Sequence, residues 1–182
     1  MSGDGECTSG DLLTQALAGG RAAFTALVRQ HQRSVYSLAL RMLSDRHAAE
    51  DLAQEVFLQL YRNLSAVRSE AHLGFWLRRV TLHRAIDRLR RAPRLEGAAG
   101  ELAAAVSEIE PADPLLERRL RALLRELPAA ARAVLLLRYQ EDLDPVEIAR
   151  TLRMPVNTVK SHLRRSLAQL RERLDGTADA LT

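Results

Sequence analysis

The chain has 182 residues, with 27 basic and 23 acidic side chains, a net charge of +4 and an isoelectric point near 9.9. That length holds one domain or two small ones, and so modest a charge excess matters by where it lies. Aromatics at 4% and short β-branched runs argue against a large sheet. Most of the chain follows a helical period, so an all-α protein is expected. The opening MSGDGECTSG carries acidic residues and no apolar core, which excludes a secretory signal. No apolar run approaches the ~18–20 residues of a membrane span, so no membrane insertion is expected. Cys7 is the single cysteine, which excludes an internal disulfide or a multi-cysteine zinc site. The expectation is a cytoplasmic protein. Lys160 is the only lysine, and the abundance of Ala, Leu and Arg fits a G+C-rich coding sequence, so the arginine count says little by itself.

After a tail at 1–10, the first helical block runs from about Asp11 to Arg91. A strong helix is predicted from roughly Ala22 to Leu43, with Phe24, Leu27, Val28, Val35, Leu38, Ala39 and Met42 at core spacing, and Ser44-Asp45 breaks it. The next helix, about Ala48 to Asn63, repeats Leu52, Val56, Leu60 and Leu64 every fourth residue. Its other side carries Glu50, Asp51, Gln54, Glu55 and Leu58. Glu50 and Asp51 also fit ordinary capping of a first turn. Glu55, Gln54 and Leu58 lie further in, and an acidic patch with one apolar contact suits a partner that presents arginines.

A polar segment, Ser65 to His72, leads to a third helix starting near Leu73, with Leu77, Val80, Ile86 and Leu89 as its core stripe. Arg78, Arg79, His83, Arg84, Arg88, Arg90 and Arg91 line it, Arg94 follows, and Trp76 stands at its beginning beside Phe75. Arginines flanked by aromatics suit single-stranded or melted nucleic acid, where rings stack on bases and guanidiniums hold the backbone. Trp76 is read first as a core anchor and second as a stacking platform. The two helices thus pair an acidic face with a basic one, as if facing a basic partner and a polyanion together.

From Ala92 the periodicity fades. Pro93, Gly97, Gly100, Pro111 and Pro114 punctuate a flexible linker at 92–114, with transient helix at Glu101–Ile109. The second block, 115–176, begins with Leu116, Leu120, Leu123, Leu124 and Leu127 on one helix and Val134, Leu135, Leu137 and Tyr139 on the next; 177–182 is a second tail. Each block has a modest core, so stability is expected to depend partly on partners. Asp144 and Glu147 then bracket Pro145 at capping-box spacing. Val146, Ile148, Ala149 and Leu152 form a short stripe broken by Arg153-Met154-Pro155. A second helix opens near Asn157 or Thr158 and buries Val159, Leu163, Leu167, Leu170 and Leu174. Asn157, Lys160, Ser161, Arg164 and Arg165 fall on its opposite face, donors without a carboxylate, which is equipment for phosphates and base edges in a major groove. A solvated helix in an arginine-rich protein is the plainer alternative; the short-helix, turn, long-helix arrangement favours DNA.

Catalysis has little support. His31, His47, His72, His83 and His162 make no metal-ligand spacing, and there is no glycine-rich phosphate loop, so neither a cofactor nor a metal is expected.

Four stretches together, AEDLAQEVFLQLYR at 49–62, FWLRRVTLHRAIDRLRR at 75–91, LPAAARAVLLLRY at 127–139 and PVEIARTLRMPVNTVKSHLRR at 145–165, resemble the extracytoplasmic-function sigma factors of the sigma-70 family. The resemblance covers Asp11 to Leu174. It implies two helical domains, region 2 and region 4, on a flexible linker, and a transcription initiation factor that carries core RNA polymerase to promoters. By that likeness the 49–62 helix docks on the β′ clamp helices, with Asp51, Gln54 and Glu55 at contact positions and Glu50 and Leu58 beside them. The helix bearing Trp76, Arg79, His83, Arg84, Arg88 and Arg91, with the 65–73 loop, matches the reader of the minus-10 element. In the family that loop captures an extruded base, and flipping costs a few kcal/mol. Asn157, Thr158, Lys160, Ser161, Arg164 and Arg165 match the minus-35 reader. Region 4 is implied to rest on the β flap through apolar surface around Leu127–Tyr139, and a separate anti-sigma factor is the implied regulator.

The match has departures. Arg153 and Asn157 stand where glycine is common, His162 where arginine is, His83 where asparagine is, and Leu73 where phenylalanine is, so no relative's promoter sequence is carried over. Asparagine tolerates left-handed backbone, and arginine does so at a cost. A stand-alone helix-turn-helix regulator that never joins polymerase is the rival reading, and it leaves the acidic 50–58 face without a purpose.

Overall fold

The computed structural model describes residues 9–91 and 114–175, and every element among them is helical. The helices are α1 (Ser9–Leu17), α2 (Arg21–Leu43), α3 (Arg46–Arg62), α4 (Glu70–Arg91), α5 (Pro114–Glu126), α6 (Ala129–Tyr139), α7 (Pro145–Leu152) and α8 (Val156–Asp175). Residues 1–8 of the tail expected at 1–10, 92–113 of the linker expected at 92–114 (with Arg94 and Glu101–Ile109), residue 176, the tail expected at 177–182, Cys7 and the Leu116 side chain lie outside the described residues, whereas Ser9 and Gly10 already belong to α1 and Pro114 to α5.

Local chemistry sets the boundaries. Ser44 ends α2 in left-handed backbone (φ 56°), and Asp45 opens α3 by accepting the Ala48 amide at 2.9 Å. The Asp144 carboxylate accepts the Val146 and Glu147 amides, and Glu147 returns a bond to the Asp144 amide at 2.8 Å, completing the capping box with Pro145 at the first helical position. Arg153 closes α7 at φ 54° and ψ 47°, so the arginine takes the left-handed position, at a cost of roughly 1–2 kcal/mol relative to glycine.

Four expectations shift. An additional helix, α1, packs on α2. The helix expected from Leu73 starts at Glu70, because Ser69 accepts the His72 amide with its hydroxyl (3.1 Å) and the Leu73 amide with its carbonyl (2.9 Å). Trp76 therefore lies in the second turn of α4, and the expected polar loop shrinks to a short 3-10 turn at Leu64–Ala66 plus residues 67–69. Asn157 sits inside α8 with no positive φ, so the left-handed conformation foreseen for it is absent; Arg153 alone supplies it in the turn between α7 and α8.

The N-terminal unit wraps α2, α3 and α4 around Leu27, Met42, Leu52, Leu60, Leu73 and Leu82, all fully buried. In the C-terminal unit α6, α7 and α8 enclose Val134, Leu137, Ile148 and Val159. Leu127, Leu135 and Leu170 form a smaller cluster under α5. The main apolar cluster does not stop between the units: the core of α2–α4 and Ala133, Val134, Leu136, Leu137, Ile148 and Leu152 belong to one continuous body. Two cores that are modest alone are thereby joined. Little apolar surface is left around Leu127–Tyr139: Ala133, Val134, Leu136 and Leu137 go into the continuous body, Leu127 and Leu135 into the smaller cluster, and Tyr139 stays 61% exposed.

Candidate nucleic-acid interface and docking face

On α8 the expected outer face is open. Val159 and Ser166 are buried, and Leu163, Leu167 and Leu170 pack inward. Asn157, Lys160, Arg164 and Arg165 are exposed, with Thr158 and Ser161 partly so. Arg165 donates Nε to the Ser161 carbonyl at 3.3 Å, which tethers its guanidinium to the helix. His162 lies half-covered beside them, and burial, then the nearby Arg165 charge, hold it below the usual histidine range. It is a neutral neighbour, not a further cation.

On α4, Arg84 and Arg88 are engaged instead, while Arg90 and Arg91 at its end are exposed. Arg84 donates Nε to Gln59 (2.9 Å) and Nη1 to Glu55 (2.8 Å). Arg88 gives Nη2 to the other Glu55 oxygen (2.7 Å) and Nη1 to the Ala48 carbonyl (2.8 Å). His83 Nε2 lies 3.1 Å from the Thr151 carbonyl of α7, a bond that requires the proton on Nε2. Arg79, His83, Arg84, Arg88 and Arg91 line one cleft of about 650 Å³, and Arg153 from the α7–α8 turn faces into it. Trp76 is half-buried, packed against the core.

The α3 helix separates the acidic residues that sequence grouped together. Glu50, Asp51, Gln54 and Leu58 are exposed, whereas Glu55 turns to α4 and spends both carboxylate oxygens there. Because α3 starts at Arg46 and Asp45 does the capping, Glu50 and Asp51 lie past the first turn, and capping does not explain them. Beside them runs an apolar groove of about 860 Å³ walled by Phe24, Val28, Tyr36, Phe57, Leu58 and Tyr61, with Glu50 and Gln54 at its rim. Leu58 and Tyr61 are 58% and 61% exposed, and Tyr61 meets Phe24 edge-on at 5.1 Å. The sequence reading found Leu58 and missed Tyr61. The signal available was their three-residue spacing, which lies off the four-residue core repeat.

Among the described residues no helix is long and apolar enough to cross a membrane.

Comparison with known proteins places this geometry. Residues 27–95 match the Sigma-70 region 2 family and 117–170 the Sigma-70, region 4 family. The ECF RNA polymerase sigma factor SigW of Bacillus subtilis is 29% identical over 176 residues, which cover 89% of this chain and 94% of that one. The ECF RNA polymerase sigma factor SigM of Mycobacterium tuberculosis is 31% identical over 174 residues, 93% of this chain and 86% of that one. CnrH, solved in complex with the cytosolic domain of CnrY, shares the fold with a TM-score of 0.66 at 23% identity, over 91% of this chain and 96% of that one. With both sigma regions present in order and relatives matched along nearly their whole length, the chain belongs to the ECF sigma factors of the sigma-70 family, the polymerase-binding subunits that confer promoter specificity.

Proposed function

We propose that three faces of this chain divide the work of initiation. Glu50, Asp51, Gln54 and Leu58 on α3 dock on the β′ clamp helices of core polymerase. The α4 face bearing Arg79, His83, Arg84, Arg88 and Arg91, with Trp76 beneath it, takes the melted minus-10 strand. Asn157, Thr158, Lys160, Ser161, Arg164 and Arg165 on α8 read the minus-35 duplex. Region 4 reaches the β flap, and the protein works in the cytoplasm as a non-enzymatic factor with region 2 at 11–91 and region 4 at 115–176. Glu55 is a positioning residue in this scheme, holding Arg84 and Arg88 on α4 while its neighbours face the partner. An anti-sigma protein is the fitting regulator, and the apolar groove around Phe57, Leu58 and Tyr61 offers it a seat that overlaps the docking face.

The observation that carries the scheme is the exposed acidic and apolar face of α3 in a chain otherwise dressed in arginine, with a separate basic face open on α8. The test is Glu50→Arg with Asp51→Arg. Reversing interface charges costs several kcal/mol, so affinity for core polymerase falls by about a hundred-fold or more while helicity and melting hold. Promoter-dependent run-off transcripts from a genomic promoter library disappear with it. Unchanged affinity in the folded variant removes α3 as the docking face.

A further inference from the structure

We infer that the cavity between α2 and α4 is a binding site for a small oxyanion, a carboxylate or a tetrahedral anion of sulfate size, held by His31 and Arg78. The site lies apart from the faces assigned to polymerase and promoter, so it stands or falls independently of them.

The cavity has an apolar floor and a polar edge. Where α2 packs on α4, Val35, Leu38 and Leu77 are buried, and a space of about 140 Å³ is left beside them. A void of that size takes a few waters or one ligand of about benzene size. Thr81, also buried there, donates its hydroxyl to the Leu77 carbonyl of its own helix at 2.8 Å, so it keeps no proton for a guest. His31, Ser34 and Arg78 make the edge, and Ser34 is exposed, which gives the cavity an entrance.

Two nitrogens on that edge are unmet. His31 Nε2 and Arg78 Nε are both shielded from solvent and find no hydrogen-bond partner among the described residues. A buried polar group left without a partner is expensive, and two on one cavity point to a missing acceptor. Gly74 is the independent sign. It stands in the second turn of α4, where glycine weakens a helix relative to alanine, yet a Cβ built on it would meet nothing within 4 Å. No neighbour excludes a side chain at that position. What the glycine preserves is the space.

The chemistry of the edge selects the ligand. A guanidinium offers donors only, so the guest must present acceptors, and an anionic acceptor bonds it more strongly than a neutral one. Two carboxylates bear on the pair. Glu70 acts on His31 while accepting a bond from Gln30 at 3.3 Å, and Glu141 pairs with Arg78 at 3.6 Å. They temper the positive field and set the affinity at about millimolar. Burial lowers the His31 pKa from the ordinary 6.5, with Glu70 opposing. An oxyanion at Nε2 favours the protonated ring, so binding takes up a proton and tightens as the pH falls.

The test titrates sulfate, whose charge is constant near neutral pH, and separately acetate into the free full-length chain at fixed ionic strength. The readout is the His31 ring signal in NMR spectra, assigned by its loss in His31→Gln. At least one anion is expected to shift it saturably with a midpoint of about 1–10 mM, and which one does so tells a tetrahedral from a planar guest. Binding is expected to be severalfold tighter at about pH 6 than at about pH 8. Arg78→Met, at a partly exposed position, removes the donors and weakens binding about tenfold or more. Gly74→Leu fills the space and abolishes the saturable shift; if it fails to fold, Arg78→Met decides alone. No saturable shift with either anion overturns the inference and leaves the cavity to water. So does equal affinity at the two pH values, or saturation in the folded variants that matches the parent chain.

Discussion

Two helices of this protein carry basic faces over an apolar stripe, yet α8 presents its face and α4 ties up the middle of its own. Lys160, Arg164 and Arg165 are exposed on α8, and Arg165 is tied to its own helix backbone at the Ser161 carbonyl. On α4, Arg84 and Arg88 are held by Glu55, Gln59 and the Ala48 carbonyl, and His83 by α7. On the assignment proposed above, the difference suits the two forms of DNA. Duplex DNA has a fixed groove, so its reader gains from being preformed and open. A melted strand exists only late in initiation, and its receiver can be kept engaged until then. Basic side chains on two amphipathic helices are thus in different states, and only their neighbours reveal which.

The sharpest way to break the contrast is on α8. Lys160→Ala is expected to weaken promoter-dependent transcription about equally on all minus-35 variants, as loss of a phosphate contact does. Arg165→Ala is expected to cost about 1–3 kcal/mol at one base pair and to relax preference there, because its planar fork is tethered through Nε to the Ser161 carbonyl. A panel of minus-35 variants separates the two, and unchanged activity and preference in both would mean that another helix is the reader.

On α4 the informative change is Glu55→Gln. If the carboxylate serves mainly to hold Arg84 and Arg88, the variant loses about 1 kcal/mol of stability, a melting shift of roughly 2–4 °C, with affinity for core polymerase nearly intact. A variant with unchanged melting and a large loss of polymerase affinity would return Glu55 to the docking face.

The smallest effect lies under α4, where His31 lines a cavity of about 140 Å³ with Gly74, Leu77 and Thr81 and its Nε2 is buried without a hydrogen-bond partner. Burial lowers its pKa from the ordinary 6.5, and Glu70 opposes this. The unfolded chain therefore takes up the proton first, so His31 costs nothing above about pH 6.5 and removes stability as the pH falls below it, by at most about 1.4 kcal/mol per pH unit. His31→Gln should flatten the fall in urea midpoint between about pH 7.5 and 5.5. An unaltered fall would place the titration elsewhere.

Much of this was legible in the residues. The spacing of Leu52, Val56, Leu60 and Leu64 announced the buried side of α3 and of the 3-10 turn after it, and all four are buried. Asp144, Pro145 and Glu147 announced the start of α7 because a capping box is local chemistry. The same locality explains the failures. Whether Glu55 faces outward or toward α4 depends on an arginine 29 residues away, as the Arg84 bond shows. Arg125 and Arg132 bond the Ser44 and Met42 carbonyls at the end of α2, and backbone oxygens leave no mark in a side-chain pattern. Ser69 as a helix start was available in the sequence, three residues before His72, but the apolar period of α4 begins only at Leu73.

The central claim is that promoter recognition belongs to the holoenzyme, where the proposed α4 and α8 readers act together; in the free chain His83, Arg84 and Arg88 of α4 are engaged within the protein. The direct measurement compares the free chain with its complex with core polymerase on the same promoter fragments at physiological salt. The account predicts that the free chain binds promoter duplex little better than random duplex and that the complex binds it specifically. Tight, sequence-specific duplex binding by the free chain, unimproved by polymerase, would contradict it.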